Sequence, residues 1–538
     1  MTYDADAIVV GSGPSGVSVT LPMLEAGMRV LLLDGGKERE RPVPPGAYHD
    51  IRREDPEQWR LFLGDDLEAL RPAGPPSPKF DAPGSRFAFE PDPASERVAG
   101  RGFAAVVSLA RGGLSNIWGA GIATYGAEEL AEFPLDPADL APSYEAVARR
   151  IGVTGFAADD LDSGLDAAIP SLEPMRLSEN ARRLMARYER RRAAVQGLGV
   201  RLGRPRTAVL TEPLDARGAC EFCDMCIWGC RADAIYSSIH DLPALQSFQT
   251  LDYRPGGVVE AVAPDGAGHR VAVRGPADRG RYELTCRRLV LAAGALVTTR
   301  LVLEMQERFD EPVPVIGAPG FAFALCLPER IGASVATREF SMGQISFTAA
   351  GDPGRPADGA YGSLFPASGV PASLVIDRMP LTRPGAVRLF RWLQPALLLG
   401  NCFLHGRYSR NSARLERDGN GLPRLVVRGG VADEHPRRYD ELRRQLIRAF
   451  RKLGAFAIPN SFSPIGPGEA IRYAGTLPMR ASPGPGETDR FGELHGARGL
   501  HVVDLSIFPA MPAKHHTLTM MANADRIGRT IAERWRGE

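Results

Sequence analysis

Ala5-Asp-Ala-Ile-Val-Val-Gly-Ser-Gly-Pro-Ser-Gly16, followed by Met28-Arg-Val-Leu-Leu-Leu-Asp34, decides the reading of this 538-residue chain. An apolar run of strand length, Ala7 to Val10, meets Gly11-x-Gly13-x-x-Gly16, then a stretch of helix length, a second apolar run and an acid. That order is a dinucleotide-binding βαβ unit. Gly11 permits a tight turn, Gly13 lets backbone approach a pyrophosphate, and Gly16 lets helix and strand pack closely, with Ser15 inside the same motif. The phosphates rest on the helix N-terminus, where free N–H groups and the macrodipole favour negative charge. Asp34, followed by Gly35, falls eighteen residues after Gly16, the place of an acid that hydrogen-bonds a ribose hydroxyl. Pro22 lies within the expected helix and predicts a kink or an early end.

Outside this unit, the length exceeds one compact core and predicts two domains. With 65 basic and 64 acidic residues, net charge +1, nothing favours nucleic acid or an anionic membrane as a partner. No apolar run reaches the ~20 residues of a membrane span, and the first strand begins too early to leave room for a signal peptide, so a cytoplasmic protein is expected. Residues 37 to 100, rich in Pro, Arg and acids, read as a surface excursion and a cover over a cofactor. Arg111-Gly-Gly-Leu-Ser-Asn-Ile-Trp-Gly-Ala-Gly121 then packs glycines among polar groups. Arg111, Gly112, Gly113, Ser115, Asn116, Trp118 and Gly119 are candidates for backbone and side chains lying against a flat ligand. A glycine-rich loop packed on its own domain is the alternative.

These two stretches, with Arg288-Leu-Val-Leu-Ala-Ala-Gly-Ala295, Tyr473-Ala-Gly-Thr476, Leu500-His-Val-Val-Asp-Leu-Ser-Ile-Phe-Pro509 and His515-His-Thr-Leu-Thr519, occur in one order. Together they resemble the glucose–methanol–choline (GMC) flavoprotein oxidoreductases. The resemblance implies FAD and an α/β FAD-binding Rossmann-type domain plus an α+β substrate domain with an antiparallel sheet. On that pattern 1–150, 241–310 and 466–538 bind FAD, and 151–240 and 311–465 form the substrate domain. Val258 is implied beside the adenine, and Ala293 and Gly294 lie where backbone passes a nucleotide. Asp504 is implied near the ribityl chain, and Thr517 opens a helix whose N-terminus can stabilise negative charge on flavin. One branch of the family joins flavin to a histidine in Gly-Gly-x-Ser-x-His-Trp. Ile117 fills that slot here and cannot form the bond, so non-covalent FAD is expected.

The same comparison implies chemistry from histidine. Oxidising an alcohol moves a hydride to flavin N5 while a base takes the hydroxyl proton, and imidazole suits that task. His515 aligns with the family's catalytic His/Asn slot, and an alternative alignment puts His516 there. Arg472 replaces the histidine of the family's His-x-x-Gly-Thr and cannot accept a proton. It either points into the site as a fixed cation or turns to solvent. His49, His269 and His435, in polar contexts, are expected to be solvated.

Four of the seven cysteines crowd together as Cys220-x-x-Cys223-x-x-Cys226-x-x-x-Cys230. The spacing is that of ferredoxin runs, although Arg231 stands where those have proline. An iron–sulfur cluster, thiols that brace a loop, and zinc are the three readings. Cys286, Cys326 and Cys402 read as core. The expected function is FAD-dependent oxidation of an alcohol on a small sugar-like, aminosugar or cyclitol substrate, as in antibiotic biosynthesis, with O2 or a redox partner as acceptor. The alternatives are a sugar dehydrogenase serving a protein or quinone, and a flavoprotein without alcohol oxidation.

Overall fold

The opening motif forms the strand Ala5–Val10 and the helix Pro14–Glu25. The computed structural model to which they belong describes residues 3–70, 78–156, 159–162, 166–276, 279–351, 358–369, 371–377 and 379–537. Ala5–Val10 lies parallel to Val30–Asp34 on one side and to Arg281–Leu291 on the other. Helices cover these parallel strands, which explains apolar runs without alternation: Ala7 to Val9 and Val30 to Leu33 are all buried. The sheet runs Leu251–Pro255, Val30–Asp34, Ala5–Val10, Arg281–Leu291, Gly268–Arg274, Val258–Asp265. The long strand Arg281–Leu291 serves two neighbours. Its first half is antiparallel to Gly268–Arg274, and Leu289 to Leu291 lie parallel to Leu500–Val502.

Pro22 does not break the first helix, which continues to Glu25. The helix packs along the last helix, Thr517–Arg536, and Pro22 sits against Gly528, where an added Cβ would come within 2.7 Å of the ring. Tertiary packing overrides the lost hydrogen bond.

The second sheet is antiparallel, in the order Phe456–Ala457, Gly320–Cys326, Leu397–Phe403, Ala360–Pro366, Ile345–Ala349, Val200–Gly203. Phe321, Phe323 and Phe347 on its covered face meet Phe450 of the helix His435–Lys452. A third sheet joins Val98–Arg101 to Pro423–Arg428, Asn411–Arg417 and Pro312–Val315, and packs on the helix Ala295–Met305. It ties chain from before residue 150 to chain beyond residue 311. Residues 37 to 100, as far as they are described, pack in part on the cysteine loop, through Tyr48 and Phe62 around Trp228 with ring centroids 5.1 and 5.0 Å away. Phe87 and Ala88 of the same excursion pack on Ala110 and Ile117. Among the described residues no helix is long and apolar enough to cross a membrane.

Candidate functional site

The first strand and Arg281–Leu291 are parallel neighbours, so the turns at their C-terminal ends, Gly11–Gly13 and Ala292–Gly294, lie side by side. A Cβ on Gly11 would stand 2.4 Å from the Ala292 carbonyl oxygen, and one on Gly16 only 1.8 Å from the Gly11 carbonyl oxygen. Both positions therefore require glycine. Gly13 and Gly294 differ, because a Cβ there would meet nothing within 4 Å. Backbone at both faces open space. The helices that begin beside them, Pro14–Glu25 and Ala295–Met305, have no capping side chain and no acid in the first turn, leaving their N-terminal N–H groups for an anion. Ser15 lies buried in the first of these turns.

Asp34 ends its strand buried, accepting hydrogen bonds from the Ser12 hydroxyl, from Tyr253 OH at 2.8 Å and from Gly36 N–H at 2.8 Å. Burial nevertheless pushes its carboxyl above the ordinary range. Gly35 needs its hydrogen, since a Cβ would lie 2.4 Å from Leu109 O. The turn that follows meets the next candidate, because Gly36 abuts Gly256, two residues before Val258.

In the 111–121 loop the backbone closes on the same cleft, with Gly113 lying against Gly13. The side chains mostly brace the loop itself. Asn116 Nδ2 donates to Arg111 O at 2.7 Å and Gly113 O at 2.8 Å, Ser115 Oγ to Gly112 O at 2.6 Å, and Trp118 Nε1 to Tyr236 O at 2.6 Å. Arg111 pairs with Glu38 and lies over the Tyr253 ring. Gly119 is exposed. Asp504 is buried and accepts from Thr298 Oγ1, from Ser506 N–H at 3.0 Å and from Ser506 Oγ at 2.6 Å.

Two of the catalytic candidates, Arg472 and His515, are in direct contact. Arg472 is turned inward, only 7% exposed. Its guanidinium lies 4.0 Å from the Phe403 ring centroid, donates to Ala513 O at 3.4 Å, and places Nη2 3.1 Å from His515 Nδ1. Burial lowers its pKa to about 10, so it stays charged at working pH. The His515 ring stands edge-on to Tyr361 at 5.2 Å, and its Nε2 lies over Gly121, where a Cβ would come within 2.5 Å. His516 occupies the cap position of the last helix, ahead of Thr517, and its Nδ1 is buried without a hydrogen-bond partner. Burial, with the Arg472 charge beside it, pushes its pKa down to about 3 and keeps the ring neutral.

Sequence reasoning missed Tyr361 and Phe403. They sit directly opposite one another on neighbouring strands of the antiparallel sheet, and only sheet register brings them to Arg472 and His515. Gly121 stood within the quoted loop and could have been read as a position facing a ring. The expectation that His269 and His435 are solvated is overturned: they are 3% and 9% exposed. The cause for His269 is its place in the first sheet, with Nε2 3.1 Å from Arg498 O.

The four clustered cysteines line one small cavity with Phe340 and Ile235. Backbone hydrogen bonds reach each sulfur, from Phe222 to Cys220, Met225 to Cys223, Ser341 to Cys226, and Ala232, Ala234 and Ile235 to Cys230. Phe222 and Asp224 adopt left-handed backbone to wrap the loop. Burial raises all four thiols, Cys220 to about 12. Among the described residues, no group of three or more His, Cys, Asp or Glu side chains is drawn together to hold a metal ion. Cys286, Cys326 and Cys402 are buried.

Comparison with known proteins agrees with this geometry. The family described as GMC oxidoreductase matches residues 468–524, the segment that carries Arg472, Asp504, His515 and His516. The 6'''-hydroxyparomomycin C oxidase of Streptomyces lividus is 26% identical over 427 residues, covering 74% of this chain and 72% of its own. The crystal structure of pyridoxine 4-oxidase from Mesorbium loti superposes with a TM-score of 0.60 at 15% identity, over 98% of this chain and 99% of that one. The match over residues 468–524, the 26% identical relative and the shared fold make this chain similar to the GMC oxidoreductases, FAD-dependent enzymes that oxidise alcohol groups.

Proposed function

We propose that this enzyme oxidises a hydroxyl group of a small sugar-like, aminosugar or cyclitol molecule, with His515, His516 and Arg472 around the reacting oxygen. The observation that carries the reading is the contact of Arg472 with His515 beside Tyr361 and Phe403 of the antiparallel sheet, with His516 next in the chain. The FAD fits the residues present: Gly13 and Gly294 open onto the cleft, two uncapped helix N-termini flank it, and Asp34 and Val258 mark its far end. When bound, FAD supplies the acceptor for the hydride. Ser15, Gly35, Arg111 to Gly113, Ser115, Asn116, Trp118, Gly119, Ala293, Asp504 and Thr517 are proposed to shape or brace its site. The division into 1–150, 241–310 and 466–538 against 151–240 and 311–465 belongs to the same reading, supported by the strands of the first two sheets, while the third sheet crosses it by joining Val98–Arg101 to strands beyond residue 311.

Arg472 bears on the substrate. It forms no ion pair with a carboxylate among the described residues, so an aminosugar must present its hydroxyl there with its ammonium groups directed elsewhere. The relative acting on a paromomycin derivative supports the aminosugar class. The direct test is an anaerobic screen of sugar, cyclitol and aminosugar alcohols, watching flavin absorbance. Bleaching by a member of that panel is expected. No bleaching by any alcohol would favour the non-oxidising flavoprotein. The rate of re-oxidation in air then separates O2 from a redox partner as acceptor, in the cytoplasmic setting we assign.

A partner-linked dehydrogenase has one observation in its favour. A cavity of about 790 Å³ is bounded by Ile117 and Trp118 of the flavin-side loop and by Cys226 and Cys230. An iron–sulfur cluster on Cys220, Cys223, Cys226 and Cys230 is the cofactor that would suit such a route, and the backbone N–H donors to sulfur support it. Purified protein is then brown, with iron and acid-labile sulfide. Colour from flavin alone assigns the loop a bracing role. With Ile117 in the histidine slot, acid precipitation is expected to release all flavin into the supernatant, and flavin retained in the pellet would contradict the non-covalent assignment.

A further inference from the structure

Arg472 does more than occupy a position from which the base has been lost. A guanidinium has five N–H donors and no acceptor, and it keeps its charge at any working pH. Its Nη2 stands 3.1 Å from His515 Nδ1, so that nitrogen must offer its lone pair. The neutral imidazole then carries its proton on Nε2. Protonating the ring would set an Nδ1–H against an Arg N–H and break this hydrogen bond, since neither group could then accept.

We infer that Arg472 locks His515 as a neutral Nε2–H donor, so that His515 polarises the substrate oxygen while the hydroxyl proton passes to His516. The inference rests on the reading of this site as one for alcohol oxidation. The surroundings of His515 support the lock. It faces Arg472, the Tyr361 ring and Gly121, with Tyr125 and Phe403 around the guanidinium. The neighbouring Lys514 is paired with Glu129 at 2.8 Å. Among the described residues no carboxylate is ion-paired with Arg472, so its charge stays directed at the imidazole. The buried Nδ1 of His516 has no hydrogen-bond partner. In the reaction the O–H bond breaks and its proton goes to a ring nitrogen of His516. The carbinol hydrogen would leave as hydride, for which FAD, when bound, would supply the acceptor, and a carbonyl would remain. Arg472 is a positioning residue in this scheme, acting through His515, and its fixed charge also favours the developing alkoxide.

Two readouts test the inference, and the first needs no substrate. In protein labelled with ring-15N histidine and assigned with His515→Gln, His515 should show an unprotonated Nδ1 and a protonated Nε2 that do not titrate between about pH 5.5 and 8.5, around the ordinary histidine value. An Nδ1–H tautomer, or a titration in that interval, would overturn the lock. Arg472→Met should let His515 titrate there, and Arg472→Lys, which keeps a cationic donor, should preserve the tautomer. If Arg472→Met leaves the His515 signals unchanged, Arg472 has no positioning role.

The second readout is anaerobic flavin reduction with the fastest alcohol of the panel. A glutamine amide supplies an N–H near the place of Nε2 but no basic ring nitrogen. His515→Gln should therefore stay within about 10-fold of the natural enzyme, while His515→Ala loses about 10²–10³-fold, the usual worth of a preorganised donor. Equal losses for glutamine and alanine would make His515 the base. If no alcohol reduces the natural enzyme, the functional reading fails while the tautomer result stands.

Discussion

Gly16→Ala should strip the enzyme of FAD and lower its stability by about 3 kcal/mol or more, near the upper end of overpacking costs. The added methyl would lie 1.8 Å from the Gly11 carbonyl oxygen and 2.9 Å from its carbon, and both are backbone atoms. Gly11 cannot retreat. Its N–H donates to Leu33 O at 2.7 Å, and its own Cβ direction is blocked by Ala292 O at 2.4 Å. Separating the helix from the strand is the remaining relief, and it would open the turn proposed to cradle the phosphates. Gly13→Ala is the informative contrast. Its methyl meets no protein atom within 4 Å, so the apoprotein should melt as before while flavin occupancy falls, because the methyl fills cleft. Thermal melting of apoprotein together with the flavin-to-protein absorbance ratio separates the two outcomes. Full flavin occupancy in Gly13→Ala would place the dinucleotide somewhere other than this turn.

His516→Ala should leave FAD bound and slow anaerobic flavin reduction by about 10²–10⁴-fold, the range for removing a general base. The expectation follows from its unpartnered Nδ1, the ring nitrogen left without a hydrogen bond. The sign of the pH effect follows from the ring's surroundings. Burial and the Arg472 charge both oppose the protonated form, so reduction should show no loss on acidification that traces to His516 until far below neutrality. A flavin content that falls in step with activity would instead make His516 a structural cap of the last helix. Stopped-flow reduction, with flavin content measured on the same sample, decides between them.

How much of this was legible beforehand differs between the two halves of the molecule. Gly11, Gly16 and Asp34 declared themselves because a turn, a close packing contact and a strand-ending acid are local demands, met within thirty residues of chain. The 3.6- and 2-residue periodicities carried the flanking strands and helix in the same way. The expected break at Pro22 failed because the decisive neighbour, Gly528, is supplied by the last helix. His269 was misread for a similar reason, since its polar sequence neighbours say nothing of the sheet that buries it.

The sequence by itself determined the dinucleotide-binding unit, the presence of a histidine pair before the last helix, and the substitution of arginine for a base at position 472. The first two are properties of residue type and short spacing, and the third follows from the resemblance to the GMC pattern. Only the tertiary structure decided that Arg472 turns inward, that its Nη2 faces His515 Nδ1, and that Tyr361 and Phe403 close around them. Those contacts join segments from residue 121 to residue 516, and which nitrogen of His515 holds a proton depends on a donor forty-three positions away in the chain. Sequence spacing carries no information about such a contact, because it is the docking of the antiparallel sheet on the dinucleotide domain that brings the groups within hydrogen-bond range.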